Sequence, residues 1–131
     1  MRRVRRHMAV RGLGTDLCDA RRIAALLERF GDRFARKCFT AGERAVCDAR
    51  SGRAECYAKR FAAKEAVAKA LADETSGALS WHSVEVVNAP SGRPGVRLYG
   101  EAAARLPEGG RVWLSLSDEP PLCLAVAVVE V

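Results

Sequence analysis

Apolar residues recur every third or fourth position through the first half of the chain and at alternate positions through much of the second. That change of period predicts helices early and strands late. Met8 to Leu13 reads as a short opening strand that ends in Gly12-Leu-Gly14-Thr-Asp16. Asp19 is placed to cap a helix whose Ile23, Leu26, Leu27 and Phe30 form one apolar stripe. Gly31-Asp32 breaks that helix, and Phe34, Cys38 and Phe39 resume helical spacing. Thr40-Ala-Gly-Glu43 fits a capping box, in which two side chains satisfy each other's orphan backbone amides. A helix should follow to about Ala49, with Arg50-Ser-Gly52-Arg as its exit.

Ala54 to Ala72 contains no Gly or Pro and is rich in Ala, Lys, Glu and Arg, which predicts a long helix. Glu74-Thr-Ser-Gly77 reads as a loop. Val84 to Asn88 alternates as a strand, Ala89 to Gly95 carries turn chemistry, and Val96 to Tyr99 supplies the paired strand of a hairpin. Glu101 to Leu106 reads as a short helix. Val112 to Ser117 and Leu122 to Val131 are two further strands, joined by Asp118-Glu-Pro-Pro121. No regular strand–helix–strand alternation is visible. The class is therefore α+β, with a mainly antiparallel sheet packed against a long central helix and shorter helices.

The long helix departs from the ordinary amphipathic design. Its apolar side chains spread around the whole circumference, which predicts burial on most sides. Glu65 and Lys69 stand one turn apart between Ala58, Ala62 and Ala72. On a polar surface such a pair is an ordinary i,i+4 contact that contributes ~0.3–0.5 kcal/mol. Here the small neighbours let something approach the charges closely. Asp16, just after the first strand, reads as a turn or capping aspartate, and with Glu65 it is the most conspicuous carboxylate in an uncharged neighbourhood. Two carboxylates brought together by a fold stay ionised cheaply only if a cation joins them. A few hard oxygen ligands suit Mg²⁺, which completes its shell with water and phosphate oxygens.

The 131 residues suffice for a single domain spanning 1–131. Net charge is +6, unevenly placed: residues 21–60 hold 11 basic and 5 acidic side chains, whereas residues 61–131 hold 6 and 9. A basic front half selects an acidic partner. Residues 1–7 read as a disordered basic leader. No apolar run reaches the ~20 residues a membrane helix needs, so no membrane partner is expected. Five cysteines without a C-x-x-C pair, and only His7 and His82, point to buried free thiols in a reducing cytoplasm rather than to zinc or disulfides. The arginines also raise a nucleic-acid-binding module as an alternative. No aromatic stacking platform, zinc motif or helix-turn-helix signature accompanies them, so no nucleic-acid partner is expected.

Five ordered segments carry a family pattern. Gly12-Leu-Gly14-Thr-Asp16 with Arg22-Ile23, Phe39-Thr40-x-x-Glu43, Arg60-Phe61-Ala-Ala-Lys64-Glu65-x-x-x-Lys69, Gly92-Arg93-Pro94, and Ser115-Leu-Ser117 closely resemble the holo-acyl-carrier-protein synthases, the small trimeric 4′-phosphopantetheinyl transferases. The resemblance runs from Ala9 to Glu130. It implies that fold, a homotrimer with sites at subunit interfaces, and transfer of phosphopantetheine from coenzyme A to a serine of an acidic apo acyl carrier protein. By position, Asp16 and Glu65 would bind Mg²⁺, and Lys69 would reach the phosphates of coenzyme A. Arg60, Lys64, Gly92, Arg93, Pro94 and Asp118 would lie around the nucleotide. Arg21, Arg22 and Arg29 on the first helix would receive the carrier protein. Glu65, directly or through a metal-bound water, would accept the serine proton.

Two departures stand out. Asp118 occupies a position where many members carry a histidine, and a carboxylate repels phosphate; this prompts a further alternative, a catalytically impaired relative kept as a binding subunit. Ala72-Asp-Glu-Thr-Ser-Gly77 replaces a glycine-rich segment and brings two carboxylates near the expected phosphate site.

Overall fold

A computed structural model describes residues 8–131, and the expected leader at 1–7 lies outside them. The chain opens with β1 (Val10–Asp19), followed by α1 (Ala20–Phe30), α2 (Asp32–Cys38), α3 (Ala41–Asp48) and the long α4 (Arg53–Ala70). The hairpin β2 (Val84–Asn88) and β3 (Pro94–Leu98), the short α5 (Gly100–Arg105), and a second hairpin β4 (Arg111–Glu119) and β5 (Leu122–Glu130) complete it. One antiparallel sheet has the order β1-β5-β4, and β2-β3 forms a separate two-stranded sheet. α+β with antiparallel sheets is what the pattern predicts.

The local signals act as expected. Asp19 caps α1 by accepting from the Arg21 amide at 2.9 Å. At α3 the Glu43 amide donates to Thr40 Oγ1 at 3.2 Å, and the Thr40 amide donates to Glu43 Oε1 at 2.9 Å. α4 buries Tyr57, Ala58, Ala62, Ala63, Ala66, Val67 and Ala70, in agreement with its apolar circumference.

β1 differs from expectation. It does not stop at Leu13 but runs ten residues to Asp19, paired with β5 in a register that sets Gly14 opposite Ala127 and Asp16 opposite Ala125. Gly12, Gly14, Asp16 and Cys18 face α4, while Leu13, Thr15 and Leu17 face outward. A Cβ on Gly12 would collide with the carbonyl oxygen of Ala70, and one on Gly14 with that of Ala66. The glycines are there to let strand and helix backbones touch, a use of glycine that resembles turn chemistry in sequence. Alanines answer them from the helix, and Ala125 and Ala127 continue the close packing from β5.

The β4–β5 hairpin is also tighter than expected. β4 extends to Glu119, so Asp118 sits inside a strand opposite Cys123 instead of in a loop. A further correction concerns the cysteines: Cys18, Cys38 and Cys123 are buried free thiols, but Cys47 and Cys56 form a disulfide. The chain reversal at residues 49–52 brings the end of α3 against the first turns of α4, with the two Cα atoms 5.3 Å apart. A nine-residue spacing across a helix–turn–helix gives no local sign of that approach. Among the described residues no helix is long and apolar enough to cross a membrane.

Candidate active site

The face of β1 that touches α4 carries Asp16 to the helix turn that carries Glu65 and Lys69. Lys69 Nζ donates to the Thr15 carbonyl at 2.8 Å and lies 3.5 Å from Asp16 Oδ1. The Lys69 side chain is 55% exposed and that of Asp16 only 18%, so the lysine reaches in from solvent to a carboxylate that is largely covered. Burial raises the pKa of Asp16 above the ordinary aspartate value, although Lys69 and then Arg22 pull it back. Glu65 is raised by burial first and by the Asp16 charge second, with Lys69 and Arg22 opposing. Two half-buried carboxylates, one raising the other's proton affinity and both facing Lys69 and Arg22, form a site where anionic charge is concentrated. The donor set fits a hard divalent cation: two carboxylates on rigid elements, no third His, Cys, Asp or Glu clustered with them among the described residues, and open space beside Glu65 for water and phosphate oxygens.

That space is a cavity of about 400 Å³ bordered by Glu65, Lys69, Ser76, Leu79, Trp81 and Arg105. Trp81 packs on Phe61 with ring centroids 5.1 Å apart, and the Arg22 guanidinium lies 5.3 Å over the other ring of that pair, Phe61. Arg22 thus stands between the surface of α1 and the carboxylates. Arg21 instead pairs with Asp19 at 2.7 Å, and Arg29 lies over Phe30 near the end of α1.

The residues expected around the nucleotide separate into three groups. Arg60, Gly92, Pro94 and Asp118 border a second cavity, of about 300 Å³, together with Arg50, Lys59 and Asn88. Arg60 is only 4% exposed; one terminal nitrogen donates to Asn88 Oδ1 at 2.8 Å, while Nε has no partner. Burial lowers its pKa. Asp118 is met by Lys59 at 3.1 Å, which offsets the repulsion its charge would exert on a phosphate. Arg93 turns aside and lies over the Trp113 ring. Lys64, expected near the nucleotide, has a side chain 1% exposed whose ammonium points inward to the fully buried Glu43; that direction is set by a residue 21 positions earlier, which the local sequence pattern cannot show. The loop departure has a structural outcome too: Asp73 turns back on its own loop, accepting from the Thr75 amide and hydroxyl.

Sequence reasoning missed Arg50, Lys59, Asn88 and Trp81 as cavity residues and Glu43 as the partner of a buried lysine. The capping-box signal located Glu43 but gave it only a local task.

Asp16 and Asp118 lie on opposite edges of one sheet. Asp16 belongs to β1 and Asp118 to β4, the two edge strands, with β5 between them. Among the described residues, the sheet face away from α4 exposes Leu13, Leu17, Leu122 and Leu124.

Known proteins share this fold and much of this sequence. The family model of the 4′-phosphopantetheinyl transferase superfamily matches residues 12–120. A holo-[acyl-carrier-protein] synthase of Methylobacterium radiotolerans is 54% identical over 125 residues, covering 91% of this chain and 92% of the relative. The crystal structure of holo-[acyl-carrier-protein] synthase from Neisseria meningitidis superposes with a TM-score of 0.80 at 35% identity, over 92% of this chain and 98% of that one. The holo-(acyl-carrier-protein) synthase from Bacillus anthracis in complex with CoA (3′,5′-ADP) superposes at 0.75 with 31% identity, over 95% and 98%.

Proposed function

The chain belongs to the 4′-phosphopantetheinyl transferase superfamily, as an enzyme of the holo-[acyl-carrier-protein] synthase family, and on that footing we propose that it transfers phosphopantetheine from coenzyme A to a serine hydroxyl of an apo acyl carrier protein, releasing adenosine 3′,5′-bisphosphate. The observation that carries the reading is the meeting of Asp16, Glu65 and Lys69 from elements far apart in sequence. Phosphoryl-type transfer asks mainly for positioning and for neutralising charge spread over oxygens. Mg²⁺ held by Asp16 and Glu65 would draw charge from the coenzyme A pyrophosphate and make the bisphosphate a better leaving group.

The protein's own groups do the rest. Lys69, a point charge on a long stem and more than half exposed, would reach from Asp16 to a phosphate oxygen. Glu65 has a raised proton affinity, which suits it to accept the serine proton. Arg60, whose buried Nε has no partner among the described residues, forms with Arg50 and Lys59 the cationic pocket for the nucleotide's phosphates. Arg22, stacked on Phe61 beside the carboxylates, would meet an acidic helix of the carrier and set its serine over Glu65, and Arg21 and Arg29 widen that basic surface. Charge of this kind raises encounter rates more than affinity.

The proposed assembly is a homotrimer with the β1 edge of one copy against the β4 edge of the next, working in the cytoplasm. Two observations support it: Asp16 and Asp118 lie on the two opposite edge strands of one sheet, and the exposed leucines form an apolar patch of the kind that marks a protein interface. The test is mass spectrometry of an apo carrier protein incubated with coenzyme A. Gain of one phosphopantetheine group is expected with Mg²⁺ and not with chelator. Asp16→Asn and Glu65→Gln should each remove it without altering the circular dichroism spectrum; wild-type turnover in either variant would overturn the assignment.

A further inference from the structure

Glu43 is fully buried and accepts three hydrogen bonds. Its Oε1 takes the Lys64 ammonium at 2.5 Å and the Thr40 amide at 2.9 Å, and its Oε2 takes the Val86 amide at 2.8 Å. One carboxylate thereby joins the N-terminus of α3, the middle of α4 and strand β2. The Lys64 ammonium also lies 5.6 Å over the Phe39 ring. Burial lowers the lysine's pKa, and the Glu43 carboxylate opposes that shift.

A buried ion pair is a poor way to gain stability, since well-packed apolar residues of similar volume commonly do as well or better. Its position offers another reason. Lys64 immediately precedes Glu65, and both border the same cavity. Asp16 and Glu65 already feel Lys69 and Arg22. A third cation turned toward them would leave the two carboxylates outnumbered and unable to attract a divalent ion. We propose that Glu43 is a positioning residue for the carboxylate pair: it holds the Lys64 ammonium inside the protein and so keeps Glu65 open to a divalent cation.

This rests on the reading that Asp16 and Glu65 hold such a cation, and the test separates the two. Mn²⁺, as a probe, is titrated into the full-length protein and free Mn²⁺ is read by electron paramagnetic resonance, with thermal melts in parallel. Glu43→Gln should weaken Mn²⁺ binding about ten-fold, the scale of one extra unit charge a few ångströms away in a partly screened site. Adding Lys64→Met to Glu43→Gln should restore Mn²⁺ affinity to within about three-fold of wild type, because the competing charge is gone. A purely structural role predicts the opposite, with metal affinity following the melting temperature in both variants.

Unchanged Mn²⁺ binding in Glu43→Gln, or a double variant as weak as the single one, overturns the proposal. Should Glu43→Gln fail to fold, Glu43→Asp with and without Lys64→Met makes the same comparison across a lengthened pair. Wild-type protein that binds no Mn²⁺ would bring down the cation site itself, and this proposal with it; wild-type binding with an indifferent Glu43→Gln brings down the positioning role alone.

Discussion

Gly14→Ala puts the contact between β1 and α4 under direct strain. The added methyl group would run into the Ala66 carbonyl oxygen and stand 2.8 Å from the Ala70 amide nitrogen. Both obstacles are helix backbone, so no side chain can rotate away. Ordinary heavy-atom contacts lie at ~3.5–4.0 Å, so strand and helix must separate by about 1.5–2 Å. Overpacking typically costs ~1–3 kcal/mol, and rigid backbone on both sides places this site at the upper end. The reduced freedom of the unfolded chain returns ~0.4–1 kcal/mol. The net loss is about 2 kcal/mol, or a fall in Tm of roughly 6–12 °C for a chain of this length. Asp16 follows on the same face of the same strand, so the displacement also carries its carboxylate away from Lys69 and Glu65. Two assays are needed: a thermal melt, and Mn²⁺ titration at a temperature where wild type and variant are both folded. Gly77→Ala is the control, since its added Cβ meets nothing within 4 Å; it should stay within ~0.5 kcal/mol of wild type. A Gly14→Ala protein that melts and binds Mn²⁺ like wild type would refute the claim that bare backbone contact builds the site.

Two further outcomes are expected. Asp16 and Glu65 both have raised pKa values in the folded state, so the stability they contribute is present below their ordinary values of 3.8 and 4.5 and is lost as pH rises through the raised ones. Without divalent cations, Asp16→Asn should therefore melt no lower than wild type at neutral pH, and the Tm gain from MgCl₂ seen in wild type should shrink toward acid pH and be missing in the variant; a gain independent of pH would contradict the assignment. Leu17 and Leu124 are cross-strand partners on the sheet face away from α4, so Leu17→Glu with Leu124→Glu should convert the assembled protein to monomer in sedimentation velocity. Wild-type protein sedimenting as a 14.2 kDa monomer would instead count against the trimer.

Some of this protein is legible in its sequence because the forces concerned act over a few residues. The Thr40–Glu43 capping box, the Asp19 cap and the helix with apolar side chains on all sides follow from neighbours three or four positions apart, and the structure contains each of them. The β2–β3 hairpin is equally local, fixed by alternation and turn chemistry around Gly92. The family's motifs are legible as well, because each is read from a short run of sequence.

Tertiary structure decided how those elements use their chemistry. Gly12 and Gly14 resemble a turn, yet they form strand because β5 supplies hydrogen-bond partners and α4 leaves no room for a side chain. Lys64 stands in the same motif as Glu65, but its direction depended on Glu43, 21 residues earlier, and on the Val86 amide from β2. Cys47 and Cys56 met only because α3 and α4 fold back on each other. Asp16 and Lys69 are 53 positions apart, and no local preference brings them within reach. Hydrogen bonds and helix periodicity register near neighbours, whereas the pairing of distant charges depends on how small residues let a strand and a helix close on one another.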